Sequence, residues 1–206
     1  MGRPPQFAKS ELLAAARKVF TRDGLGAPVK DIAAALGVSE AAIFKRYPVK
    51  ADLIVAAMVP PVPDIAALLA PLDGATDPRH ALSQVLANLV AYFCETIPVV
   101  LPLLAEPDIG PQRLMRQSSE PSVATIAGVL SQRLTAMTHR GQLHTTDTLA
   151  AAGLLITTAH SLALFEIMGF HGGATPPRLV EAMIATLWEG LDPQTSVVAK
   201  ESKHDR

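Results

Sequence analysis

Apolar side chains recur at spacings of three and four along most of this chain, and an alternation of β-branched residues never persists. That period puts every apolar side chain on one stripe of a helix, and a helix with such a stripe must bury it against other helices. Glycines and prolines set the lengths. Leu12, Leu13, Ala16, Val19 and Phe20 share a face that stops at Gly24, and Val29, Ile32, Ala33 and Leu36 share one that stops at Gly37. Ser39 is an N-cap for a third helix holding Ile43, Phe44 and Tyr47, which Pro48 ends; Lys50 opens a fourth through Leu53, Ile54 and Ala57. Beyond the prolines at 60, 61 and 63, the pattern predicts a short helix over 64–71 and a long one over 78–97. Pro98 and Pro102 then set off a brief helical piece to 105, and 107–120 reads as a looser stretch. Three more helices are expected over 121–139, 147–169 and 177–190. The fold class is all-α.

Composition narrows this further. Hydrophobic residues make up 49% of the 206, enough for a substantial core, and aromatics only 4%, so that core is aliphatic. The single cysteine, Cys94, excludes an internal disulfide and a cysteine-rich zinc site. Residues 148–165 carry no formal charge, but Thr157, Thr158, His160 and Ser161 interrupt them and Asp147 and Glu166 bound them, which fits a buried helix better than a membrane span. Met1-Gly2-Arg3-Pro4-Pro5 is not followed by an apolar signal-peptide core, so a cytoplasmic protein without a membrane partner is expected.

The net charge of −1 hides a division. Residues 1–60 hold nine Lys and Arg against five Asp and Glu, whereas the remainder holds nine against fourteen. The proline cluster marks the seam. Three segments are therefore expected: a basic domain over 1–58, a larger acidic helical domain over 59–192 and a polar tail over 193–206.

The densest pattern lies between Val29 and Lys50. Ala33 is small enough for close helix crossing, Gly37 can take the left-handed conformation at a tight turn, and Ile32, Leu36, Val38 and Ile43 fill the space between two short helices. Together with the Ser39 cap and the basic surplus, this is a helix-turn-helix pattern. The runs Val29-Lys30-Asp31-Ile32-Ala33-Ala34-Ala35-Leu36-Gly37-Val38-Ser39, Ile43-Phe44-Lys45-Arg46-Tyr47-Pro48 and Lys50-Ala51-Asp52-Leu53 carry it further: residues 10–55 resemble the DNA-binding domain of the TetR family of bacterial transcriptional regulators.

The resemblance implies a homodimeric repressor that binds a palindromic double-stranded DNA operator and is released by a small-molecule effector. Glu40, Ala41 and Ala42 occupy the base-facing start of the recognition helix; Glu40 can accept from a cytosine amino group and the alanines offer methyl contact. Lys45, Arg46 and Lys50 would neutralise phosphates, with Lys30 and Ser39 as further phosphate contacts and Arg3 as a minor-groove arm. The family usually has Tyr where Phe44 stands and Phe where Tyr47 stands, so the pair is exchanged here and the phosphate bond of that hydroxyl is in question.

For the C-terminal domain, the expected effector cavity lies among 78–97, 98–105, 121–139 and 147–169. Its candidate polar and aromatic anchors are Tyr92, Phe93, Cys94, Glu106, His160 and Glu166, and its mostly aliphatic lining suits a largely apolar effector. Gly153, Thr157 and Ser161 recur every four residues, and Leu179, Met183, Leu187 and Trp188 line the last helix; these are the candidate dimer face. His139 and His144 lack a carboxylate or cysteine partner nearby, so neither metal nor cofactor is expected. Phosphate loops, nucleophile elbows and zinc-protease signatures are absent from the sequence, which speaks against an enzyme. The competing possibility is a helical small-molecule carrier or enzyme without DNA binding.

Overall fold

The computed structural model describes residues 7–60, 63–117 and 123–191, and among them every regular element is helical. Ten α-helices follow in order: α1 (Lys9–Asp23), α2 (Val29–Leu36), α3 (Glu40–Arg46), α4 (Lys50–Met58), α5 (Ile65–Leu69), α6 (Pro78–Ala105), α7 (Gly110–Gln117), α8 (Val123–His139), α9 (Thr148–Ile167) and α10 (Pro177–Leu191). Single 3-10 turns follow α5 and α9.

Two expectations about proline need correction. Pro98 and Pro102 do not break the chain into a helix and a fragment; α6 runs unbroken for 28 residues. Both prolines are exposed, so water can take the carbonyls that their missing N–H groups leave unpaired. The stretch 107–120 is not uniformly loose, because α7 starts there at Gly110. Pro111 at the head of a helix removes only an N–H that would be unpaired anyway, and it presets φ. A Gly-Pro pair taken as a breaker is here a helix start.

The chain separates into two compact units. The first combines the N-terminal helices with a later segment: residues 1–61 and 99–120. Leu12, Ile32 and Ile43 are fully buried at its centre with Leu53, and Leu103 from the end of α6 and Ile109 before α7 belong to the same cluster. Arg17 closes the end of α4 by donating from Nε to the Ala57 carbonyl at 2.6 Å and from Nη2 to that of Val59 at 3.3 Å. Asp52 of α4 pairs with Arg113 of α7 at 3.0 Å. At the start of α1 the Glu11 carboxylate accepts from the Ala8 backbone N–H at 2.7 Å.

The second unit comprises residues 62–98 and 121–206. Its core is almost purely aliphatic, with Leu82, Leu86 and Leu89 of α6 against Ile126, Leu130 and Leu134 of α8 and Ala152, Leu155 and Ala159 of α9. Alanines on α9 let it lie close to α8. Three hydroxyls stitch that pair: Thr148 Oγ1 is 3.0 Å from Ser131 Oγ and 2.9 Å from Thr135 Oγ1. Asp147 caps α9 by accepting from the Ala150 N–H at 2.9 Å. Arg133 of α8 reaches the Asp73 carboxylate and the Leu69 carbonyl. α6 and α9 are long and apolar enough to cross a bilayer by length and composition, and α9 puts seven side chains into this core.

Candidate nucleic-acid interface and cavity

The turn between α2 and α3 is built on one residue. Gly37 sits at φ +66°, its N–H bonds to Ala34 O at 3.2 Å, and the Val38 N–H returns to Ala33 O at 3.0 Å. The left-handed conformation ends α2 and aims the chain into α3. A Cβ at this position would meet nothing within 4 Å, so its cost is conformational alone. Gly37→Ala is therefore expected to destabilise the first unit by about 1–2 kcal/mol, and Gly37→Asn by less because asparagine tolerates this region; urea denaturation of the three proteins checks the ranking.

Ser39 Oγ then accepts from the Ala42 N–H at 3.3 Å, leaving the hydroxyl proton available to a partner. Helical period divides α3 into two faces. Ile43 and Tyr47 are turned inward, at 0% and 9% exposure, while Glu40, Ala41, Phe44, Lys45 and Arg46 are exposed and Ala42 is half-buried. The exchanged aromatic pair thus has a structural meaning. Phe44 is the aromatic on the open face, at 38% exposure, and Tyr47 is a core residue whose phenol is raised above its ordinary pKa by burial.

The basic residues divide in a way their spacing did not reveal. Lys30 and Lys45 are exposed. Arg46 Nη1 donates to the Phe7 carbonyl at 3.2 Å and its guanidinium stands 5.4 Å from the Phe7 ring centre. Lys50 Nζ donates to the Gly26 carbonyl at 2.9 Å and stands 5.9 Å from the Phe20 ring centre. Both charges fasten the α1–α2 loop or the entry to α1, as well as contributing positive potential. Arg3 lies outside the described residues, as does the 193–206 tail.

The second unit holds an open cavity of about 440 Å³. Its walls are α6, α10 and the residues leading into α10, with Glu166 of α9 at its side. Of the anchors expected from sequence, Glu166 alone is on that wall. Phe93 is buried, packing against Tyr92 and edge-on against His160 with both ring centroids at 5.2 Å. Glu106 is exposed and belongs to the 99–120 segment of the first unit. His80, Ser83, Gln84, Thr175 and Glu181 line the cavity and were not among the sequence candidates. Spacing offered a partial signal, since His80, Gln84, Ala87 and Ala91 follow one stripe of α6.

Cys94 and Glu166 form the polar joint beside this cavity. The thiol donates to Glu166 Oε2 at 3.2 Å, and the Thr175 backbone N–H donates to Oε1 at 2.7 Å. Burial, the bond to Glu166 and its negative charge push the thiol up to about 11. For Glu166 burial acts upward, but Thr175 and the Cys94 thiol outweigh it and hold the carboxyl below its usual range. A depressed carboxyl contributes stability above its unfolded pKa and loses it as pH falls through the folded value, so this joint weakens in acid.

On α9, Gly153 and Ser161 are half-buried and Thr157 exposed, and the exposed Leu154, Phe165 and Met168 continue that side of the helix. Leu179, Met183, Leu187 and Trp188 of α10 are half-buried against the core of their own chain.

Residues 12–57 match the family model described as "Bacterial regulatory proteins, tetR family". No curated protein matches the sequence. Among solved structures, the flavonoid-responsive regulator FrrA is 20% identical, with 89% of this chain and 96% of that one covered at a TM-score of 0.62. A protein of unknown function from Rhodococcus sp. RHA1 is also 20% identical, covering 92% and 99% at 0.59. The fatty acid degradation regulator FadR from Bacillus halodurans is 16% identical, covering 89% and 97% at 0.55. These structures share the fold over nearly the whole length, and residues 12–57, which hold the helix-turn-helix, are the part that matches the tetR-family model of bacterial regulatory proteins.

Proposed function

We propose that this protein is a cytoplasmic, homodimeric transcriptional repressor that holds a palindromic operator through residues 29–50 and lets it go when a small molecule enters the C-terminal unit. The observation that carries the reading is the outward face of α3. Glu40, Ala41, Phe44 and Lys45 are exposed on a helix whose other face is anchored by Ile43 and Tyr47. Such a face can enter a major groove, with the Phe44 ring and Ala41 methyl against thymine methyls and Glu40 accepting from a cytosine amino group. Lys30, Ser39, Lys45 and the α1-fastening Arg46 and Lys50 supply donors for the phosphates on either side.

A dimer is favoured because one short helix-turn-helix reads only a half-site, and because α9 leaves Leu154, Phe165 and Met168 open beside Gly153, Thr157 and Ser161. Leu179, Met183, Leu187 and Trp188 would supply the α10 part of that face. The 440 Å³ cavity is of ligand size. A ligand need only favour the dimer geometry whose half-site spacing no longer matches successive major grooves. FrrA is flavonoid-responsive by its name, which makes ligand control a reasonable expectation for this fold.

Footprinting on the DNA upstream of the protein's own coding region tests the reading. A two-fold symmetric footprint whose affinity falls steeply with salt is the expected result; a salt-insensitive interaction or none at all favours a carrier or enzyme without DNA binding. In the same assay Lys45→Ala should weaken binding to every sequence alike and reduce the slope of log K against log salt by about 1.8 for two phosphates per dimer. An unchanged slope would remove Lys45 from the phosphate contacts.

A further inference from the structure

We propose that the cavity of the second unit is a site for a small apolar amine in its protonated form, held by Glu166 and Glu181. This rests on the effector reading above and names the class of ligand. Among the described residues, the ionisable groups on its wall are Glu166, Glu181 and His80, with no lysine or arginine; the neighbouring Arg79 and Arg178 are exposed and do not line it. Among the described residues, neither carboxylate has a salt-bridge partner. Glu166 is half-buried and kept ionised by donors that are themselves neutral, the Thr175 N–H and the Cys94 thiol. A charge partly withdrawn from water with hydrogen bonds but no counter-ion gains from a cation delivered by a ligand.

A second observation points the same way. Thr175 lines the cavity beside Glu166; its buried Oγ1 makes no hydrogen bond of ordinary geometry, although the hydroxyl stands near enough to Glu166 to help hold that carboxyl down, and its lone pairs are free to accept. A hydroxyl can accept from an ammonium N–H while the carboxylate takes another. Ala87, Val90, Ala91, Pro177 and Val180 supply an aliphatic wall for the rest of the molecule. Among the described residues no Trp, Tyr or Phe lines the cavity, so they build no aromatic cage of the kind that suits a quaternary ammonium. A primary or secondary ammonium, which donates hydrogen bonds, fits these groups better than a fully alkylated one. The largely apolar effector expected from the sequence acquires a positive end.

Isothermal titration of the full chain with hexylammonium, trimethylhexylammonium, hexanol and hexanoate, at fixed salt and neutral pH, tests this. Hexylammonium should bind saturably at one site per chain, at least tenfold more tightly than the other three. Glu166→Gln should cost at least tenfold in that affinity, and Glu181→Gln a smaller amount, with circular dichroism confirming the fold of each. If Glu166→Gln does not fold, Glu181→Gln and Thr175→Val carry the comparison, each weakening the amine and leaving hexanol unchanged. Equal binding of hexanol or hexanoate, absence of hexylammonium binding, or amine affinity untouched by these substitutions overturns the proposal. Operator release is measured separately. Hexylammonium that binds without releasing DNA contradicts the effector reading while upholding the amine site, and release by a non-amine with no hexylammonium binding does the reverse.

Discussion

Leu103→Ala is expected to destabilise the first unit by about 2–5 kcal/mol, and operator binding should fail with it although the residue lies over fifty positions beyond the helix-turn-helix. Leu103 is 1% exposed and belongs to the cluster of Leu12, Ile32, Ile43 and Leu53. Removing its isobutyl group takes transfer energy and leaves a cavity among side chains already seated in a small core. A unit of this size has only about 5–15 kcal/mol to lose. Urea unfolding followed by circular dichroism should show an early transition in the variant. The chain's one tryptophan, Trp188, packs against the core of the second unit and so reports on that unit separately. Its fluorescence transition should keep the wild-type midpoint. Matching behaviour of Leu103→Ala and wild type in both signals would show that the end of α6 is dispensable to the N-terminal core.

The second large effect concerns Cys94. With its thiol pushed up to about 11, the native protein should react with iodoacetamide at pH 8 roughly a hundredfold more slowly than an ordinary cysteine, because only the thiolate attacks. The rate should climb with pH well beyond the range where free thiols level off, and urea should restore ordinary reactivity. Glu166→Gln removes the negative charge and the stronger acceptor but leaves the burial, so it should recover part of the lost rate. A native rate equal to that of the unfolded chain would mean that the Cys94–Glu166 bond does not persist in solution. The same raised pKa argues against Cys94 as a redox sensor, since such cysteines are characteristically low in pKa and open to solvent.

Much of this molecule is written in local signals. The boundaries of α1 to α4 follow from Gly24, Gly37, Ser39 and Pro48, each of which acts on the backbone within a turn of itself. The residues filling the helix-turn-helix were legible for the same reason, since Ala33, Gly37 and Ile43 must stand at fixed offsets for two short helices to cross. Proline was the less dependable signal. At Pro48 it ends a helix, at Pro98 and Pro102 it does not, and at Pro111, in the first turn, it helps to begin one; all four are exposed, so neither the residue type nor its exposure separates the outcomes.

Local period and punctuation were thus enough for an all-helical chain with a helix-turn-helix near its N-terminus, because those signals act between residues that are close in sequence. They could not say which side chains from distant helices would meet. Leu103 and Ile109 joining the N-terminal core, Lys50 turning to the Gly26 carbonyl and Glu166 meeting Cys94 across 72 positions each depend on packing between segments far apart in the chain. The same holds for the cavity. A stripe of small residues on α6 looks alike whether it faces solvent, a partner or a ligand, and it became a wall only where α10 and Glu166 closed on it.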